Sequence, residues 1–149
     1  MADPKALART THDACVCGSV RRAARAITQL YDDILRPSGL RITQFGILGA
    51  TMAMSPITLT RLAQATVTDR TTLTRNLKLL EQQGLIRIDA GGDRREREIS
   101  ITREGAEALR KAYPLWQKAQ TQVISGLGPK HLKAMQDELA AATALLRKA

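Results

Sequence analysis

The sequence predicts a mainly α-helical chain that carries one small β-hairpin, and three observations lead to it. Apolar residues recur at three- and four-residue steps over most of the 149 residues, which is the period of one helical face. Near residues 85–101 that period gives way to alternation of apolar and polar residues, as in half-buried strands. Glycine and proline stand where helices should end, at Pro37-Ser38-Gly39, Ser55-Pro56, Gly84 and Gly126-Leu127-Gly128-Pro129.

Taken in order, the first helix is expected from about residue 14 to residue 36, with Val20, Ala23, Ala24, Ile27, Leu30, Tyr31 and Ile34 on one face. Thr43 is expected to cap a short helix carrying Phe45, Leu48 and Met52. Another begins near Thr58 with Leu59, Leu62 and Ala63, and a turn at Ala65-Thr66-Val67 follows. Thr68 offers a hydroxyl to cap the next helix, which turns Leu73, Leu77 and Leu80 inward. Gly84 sits where a left-handed C-terminal cap belongs. Residues 85–89 and 98–101 read as strands, and Gly91-Gly92-Asp93-Arg94-Arg95-Glu96-Arg97 between them as a glycine turn with a basic tip. Thr102 caps a long helix reaching about Ser125, with a bend expected at Pro114. Pro129 suits the first turn of a last helix, where Leu132, Met135, Leu139, Thr143 and Leu146 form a stripe.

Composition narrows the function classes. Hydrophobic residues make up 44% and charged residues 25%, enough for one domain with a buried core. Only Tyr31, Phe45, Tyr113 and Trp116 are aromatic, so that core is mostly aliphatic. There is no apolar run of about 18 residues to span a membrane. Met1-Ala2-Asp3-Pro4-Lys5 lacks the apolar segment of a signal peptide, so a cytoplasmic protein is expected. The 23 Lys and Arg against 14 Asp and Glu give a net charge of +9, which favours a polyanionic partner, most simply double-stranded DNA. The excess is spread along the whole chain, so the motifs must locate the site. Nothing in the chain calls for a cofactor. His12 and Cys15 lie three apart but lack a third orienting group, and His131 has no ligand cluster around it, so an enzyme is not expected.

Two short helices joined by a tight turn and followed by a hairpin make a winged helix-turn-helix, over about residues 40–103. The helix after Thr68 is then the recognition helix, entering the major groove by its N-terminal residues. Thr68, Asp69, Arg70, Thr71, Thr72, Arg75 and Lys78 are its candidate DNA contacts. Arg94, Arg95 and Arg97 suit the negative potential of a narrow minor groove. The plain alternatives are a solvated helix face and a turn partly neutralised by Asp93 and Glu96. A winged-helix scaffold that binds only protein is the rival function.

Thr68-Asp69-Arg70-Thr71-Thr72-Leu73-Thr74-Arg75-Asn76-Leu77, followed by Leu80-Glu81 and Gly84-Leu85-Ile86, resembles the recognition helix and first strand of the MarR (multiple antibiotic resistance) family. Asp93-Arg94-Arg95 with Ile99-Ser100-Ile101-Thr102 and Gly105 is similar to that family's wing. Leu35-Arg36-Pro37, Gly39-Leu40, Ile42-Thr43 and Phe45 are similar to its first two helices. The resemblance covers roughly residues 18–148. It implies a homodimeric transcriptional regulator, here expected to be a repressor, on a pseudo-palindromic operator. Residues 1–36 and 104–149 would be its dimerisation part, and many members release DNA on sensing a small phenolic ligand or an oxidant. Carried over, Arg94 and Arg95 are wing contacts, and Thr71, Thr72 and Arg75 face the major groove. Glu96 departs from the pattern, which often has a small residue there. Independently, the apolar stripe of the last helix runs on to Leu145 and Leu146, and a second copy would cover it.

Two input sites are candidates. Tyr31, Phe45, Tyr113 and Trp116 can gather around an aromatic ligand, with Arg21, Arg22 or Arg25 to meet a carboxylate; plain core is the alternative. Cys15 and Cys17, two apart on a helix, face different sides, so a bond between them would be strained. Two thiolates also fall short of the usual zinc set. In a dimer the pair could form intersubunit disulfides or a four-sulfur metal site. The resemblance adds a peroxide-sensing branch with a reactive cysteine and a tyrosine fourteen residues later, as in Cys17 and Tyr31. Arg21 stands where that branch has a second tyrosine, and its charge would favour a thiolate. A cysteine that merely fills space is the alternative.

Overall fold

Asp3 and Pro4 begin a helix that apolar periodicity does not reveal. In the computed structural model, which describes residues 3–92 and 96–146, α1 spans Pro4–Ala14 and α2 spans Val16–Leu35. The Asp3 carboxylate accepts from Lys5 N–H at 3.1 Å, and Pro4 occupies a first-turn position where a missing N–H costs nothing. Cys15 lies between the helices in an extended conformation (φ −73°, ψ 108°), so the helix expected from about residue 14 starts at Val16 and a further helix precedes it.

A 3-10 turn at Arg36–Ser38 and left-handed Gly39 (φ 77°) lead to α3, Ile42–Met54. Its cap is not Thr43. Ile42 N–H donates to the Asp32 carboxylate on α2 at 2.8 Å, and Arg41 N–H to Gln44 Oε1 at 3.0 Å. A carboxylate ten residues back therefore fixes where α3 starts.

The strand β1, Ile57–Thr58, is too short to show any alternation in sequence. Thr58 caps α4 (Leu59–Thr66), accepting from Arg61 N–H at 3.3 Å. Val67 then takes the left-handed conformation (φ 50°, ψ 42°), which costs an L-residue roughly 1–2 kcal/mol. It does so because Val67 N–H turns back to the Gln64 carbonyl at 3.3 Å and Thr68 N–H to that of Ala63 at 3.0 Å. The next helix, α5, is Arg70–Gln82, followed by Gly84 with φ 71°.

Strands β2 (Ile86–Ala90) and β3 (Arg97–Ile101) pair antiparallel, and β1 adds to the other edge of β3, giving the order β1-β3-β2. Ile99 lies opposite both Ile57 and Ile88. Arg97 pairs with Ala90 inside the ladder, so it belongs to a strand rather than to the hairpin tip. Arg94 and Arg95 lie outside the described residues. The long helix α6, Arg103–Leu127, runs through Pro114, and α7 is Pro129–Leu146.

Leu35, Leu48, Ile57, Leu62, Leu73, Leu80 and Ile99 are fully enclosed and form the aliphatic core. Helices α1 and α7 share little of it: Leu7 and Leu145 are 62% and 72% exposed.

Helix α5, the sheet and α6 meet at one point. Thr102 Oγ1 donates to the Gly84 carbonyl at 2.7 Å and accepts from Gly105 N–H at 3.0 Å. Thr102 N–H donates to the Leu85 carbonyl at 3.1 Å. A Cβ added to Gly105 would lie 1.9 Å from the Leu85 oxygen, so backbone meets backbone there. Gly105→Ala should therefore destabilise the protein by about 3 kcal/mol, the upper range for overpacking. Urea denaturation measures this, and an unchanged midpoint would show that the joint has slack.

Candidate nucleic-acid interface

Leucines decide which side of α5 faces out. Leu73, Leu77 and Leu80 are buried, while Arg70, Thr71, Thr72, Arg75 and Lys78 are exposed. Thr71, Arg75 and Lys78 follow at steps of four and three, so they line one stripe of the outward face.

The residue that caps α5 is Asp69, not Thr68. Asp69 has the extended backbone of an N-cap (φ −65°, ψ 151°), and its carboxylate accepts from Thr72 N–H at 2.9 Å. The half-buried Thr68 instead donates its hydroxyl to the Thr66 carbonyl at 3.1 Å. Thr68 and Asp69 thus shape the approach to α5, and Arg70 onwards present the polar surface. The hydrogen bonds from Thr72 hold the Asp69 carboxyl below its ordinary pKa of 3.8.

Arg97 and Lys78 share a cleft of about 250 Å³ between α5 and the sheet, with Thr74, Glu81 and Ile88 also on its walls. Sequence reading did not bring these two cations together, because the pairing depends on where β3 begins. Among the expected wing residues only Arg97 is described.

The four aromatics do not enclose one common space. Tyr31 is buried and hydrogen-bonded to Gln120, and burial pushes its phenol pKa up. Trp116 stacks between Phe45 (centroids 6.0 Å apart) and Tyr113 (5.6 Å). Half-exposed Tyr113 also lines a groove of about 570 Å³ with Met52, Leu109 and Arg103. Arg110 in that groove is held by Glu107 through hydrogen bonds of 2.9 and 2.8 Å. Arg21, Arg22 and Arg25 are exposed on α2, and none of them lines the groove.

Both cysteines are exposed free thiols. They do not share a helix as expected, since Cys15 is the extended N-cap of α2 and Cys17 lies in its first turn. Cys15 Sγ accepts from Gly18 N–H at 3.4 Å. A methyl group on Gly18 would lie 3.3 Å from Arg22 Nη1 and 3.8 Å from Cys15 Sγ, so Arg22 lies on the Cys15 side. Among the described residues, no three His, Cys, Asp or Glu side chains are grouped to hold a metal ion. No helix among them is long and apolar enough to cross a membrane.

Comparison with known proteins agrees with this geometry. A model described as the MarR family matches residues 38–96. The M. tuberculosis transcriptional regulator MosR, solved in complex with DNA, is 41% identical, with a TM-score of 0.77. That similarity covers 88% of this chain and 98% of the MosR chain. Two HTH-type transcriptional regulators of Bacillus subtilis are also similar. YwaE is 29% identical over 86% of this chain and 71% of its own length. YwoH is 28% identical over 57% of this chain, and the match spans 62% of YwoH, less than two thirds of it.

The Asp69 cap has a pH signature. Its pKa is lowered on folding, so the stability it contributes is present above about pH 4 and is lost as pH falls through the folded value. Asp69→Asn keeps an N-cap acceptor but not the charge, so the melting-temperature gap between wild type and this variant should narrow from pH ~6 to pH ~3. A gap that stays constant would mean that the charge is not involved. Asp69→Ala should melt lower than wild type at neutral pH.

Proposed function

Since the chain belongs to the MarR family of winged-helix transcriptional regulators, we propose that it is a cytoplasmic homodimeric repressor that binds a pseudo-palindromic operator in double-stranded DNA. The observation that carries this reading is the outward stripe of Thr71, Arg75 and Lys78 on α5, a helix held down by three buried leucines. Thr71, Thr72 and Arg75 then face base edges in the major groove, Arg70 and Lys78 meet phosphates, and Arg94, Arg95 and Arg97 serve the wing. One recognition helix per chain suits a twofold site with half-site centres about one helical turn (~10 bp) apart. Second-copy coverage of the terminal helices is supported by Leu7, Val16, Val20, Leu139 and Leu145, all apolar and exposed in one protomer.

Selection of duplexes from random oligonucleotides by the purified protein tests the proposal, together with sedimentation. A dimer that enriches a pseudo-palindrome is expected. A monomer at micromolar concentration with a single-half-site footprint would overturn the twofold reading, and no enrichment would favour the protein-only scaffold. Arg75→Ala should lose about 1–3 kcal/mol of operator binding and relax base preference. Arg95→Ala should weaken all sequences alike and flatten the salt dependence by about one unit of slope per subunit. Wild-type binding by both variants at two salt concentrations would remove these assignments.

For the signal, the exposed Cys15 and Cys17 favour an oxidant over an aromatic ligand, because the aromatics are largely engaged with one another or with Gln120. In this reading Cys17 is the attacking thiol, and Cys15 of a second copy resolves it. Peroxide removes two electrons and two protons from the thiols, leaving a disulfide and two waters. A cross-link there would alter the base of the dimer and the spacing of its two recognition helices. Operator affinity should fall after mild peroxide in wild type and not in Cys15→Ser or Cys17→Ser. Equal affinity of wild type in both states removes the switch.

A further inference from the structure

Among the described residues, Val67 is the only one besides glycine with a positive φ. The end of α4 demands that conformation, since Val67 N–H and Thr68 N–H both turn back onto the last carbonyls of the helix. Gly39 and Gly84 meet the same demand with no side chain to oppose it. A β-branched residue opposes it, and burial of the side chain within the protomer offsets little of that cost, because Val67 remains 56% exposed. An apolar side chain held outward in an unfavourable backbone state points to a contact beyond the chain. Its position says which contact. Val67 lies two residues before the Asp69 cap, on the approach to the helix end that carries exposed Arg70 and Thr71.

We propose that Val67 is a specificity-determining residue of the DNA interface, its isopropyl group packing against the C5-methyl of a thymine beside the N-terminus of α5. This rests on the DNA-binding reading given above. The thymine methyl is the apolar group on the major-groove edge of the base pairs, and apolar side chains read it by contact. Of its polar neighbours, Asp69 and Arg70 carry no methyl group to supply that contact. Valine at this turn therefore trades backbone ease for sequence preference.

The test uses the full-length protein and its selected operator, with each thymine replaced in turn by deoxyuridine, which lacks only the methyl group. Wild type should lose affinity at one symmetry-related pair of thymines, by about fourfold per methyl buried. Val67→Gly, which relieves the backbone, should fold with an equal or higher melting temperature. It should bind the thymine operator more weakly and be indifferent to deoxyuridine at that pair. Val67→Ala, which keeps a Cβ and removes both methyls, should show the same indifference and separate lost contact from a loosened turn. Wild-type affinity in both variants overturns the inference while leaving DNA binding intact. So does a loss in the variants that is uncoupled from every thymine methyl. Failure of wild type to select any duplex overturns both readings together.

Discussion

The arrangement of the DNA-reading elements depends on the contact between Thr102 and the chain end of α5. One threonine ties three elements: its hydroxyl takes the Gly84 carbonyl, its amide takes the Leu85 carbonyl, and it caps α6 through Gly105 N–H. This is possible only because Gly105 has no side chain, so that α6 starts against the Leu85 carbonyl. The exit of α5, the start of β2, the end of β3 and the start of α6 are thereby set by one cluster of backbone groups. The angle of α5 relative to the sheet cannot change without disturbing the first turn of α6.

Around that joint, structure and recognition are divided between residues by burial. Leu73, Leu77 and Leu80 anchor α5, and Ile57, Ile88 and Ile99 fill the side of the sheet facing it. None of these has a polar group to offer DNA. The residues left outside carry no packing duty, so their chemistry is free to follow the operator. Val67 and Leu79 are exceptions, apolar side chains that remain 56% and 50% exposed.

Local pattern made most of this order legible. The inward leucines of α5, the glycine after it, the alternating strands, the Thr102 cap and the Pro129 start are each encoded within a few residues of where they act. The failures are of two physical kinds. Where adjacent residues could serve the same role, as Thr68 and Asp69 both could, the backbone geometry of the preceding turn made the choice. Where the partner was distant, as with Asp32 capping α3 or β1 pairing with β3, no sequence window held both halves. Helix α1 belongs to neither kind: Asp3 with Pro4 is a readable start signal, but Leu7 is the one large apolar side chain in the helix that follows. The surroundings of the two cysteines were the least legible. Whether Arg21 or Arg22 lies near a thiol, and which thiol, depends on the break at Cys15.

That break also places both cysteines at the start of α2, the helix that packs along α6. Helix α2 begins at Cys15 and packs along α6, where Ala112 and Ala119 are wholly buried and Tyr31 is bonded to Gln120. Small buried residues bring helices close, and a hydrogen bond away from water resists sliding. A displacement of α2 is therefore carried by α6 rather than absorbed between the two helices. At its other end α6 meets the Leu85 carbonyl with no slack, and Leu85 follows Gly84 at the exit of α5. Were two copies joined through these helices, the α2–α6 pair of each would set the separation of the two recognition helices. The hairpin is joined to the body at its root by the same Thr102 cluster.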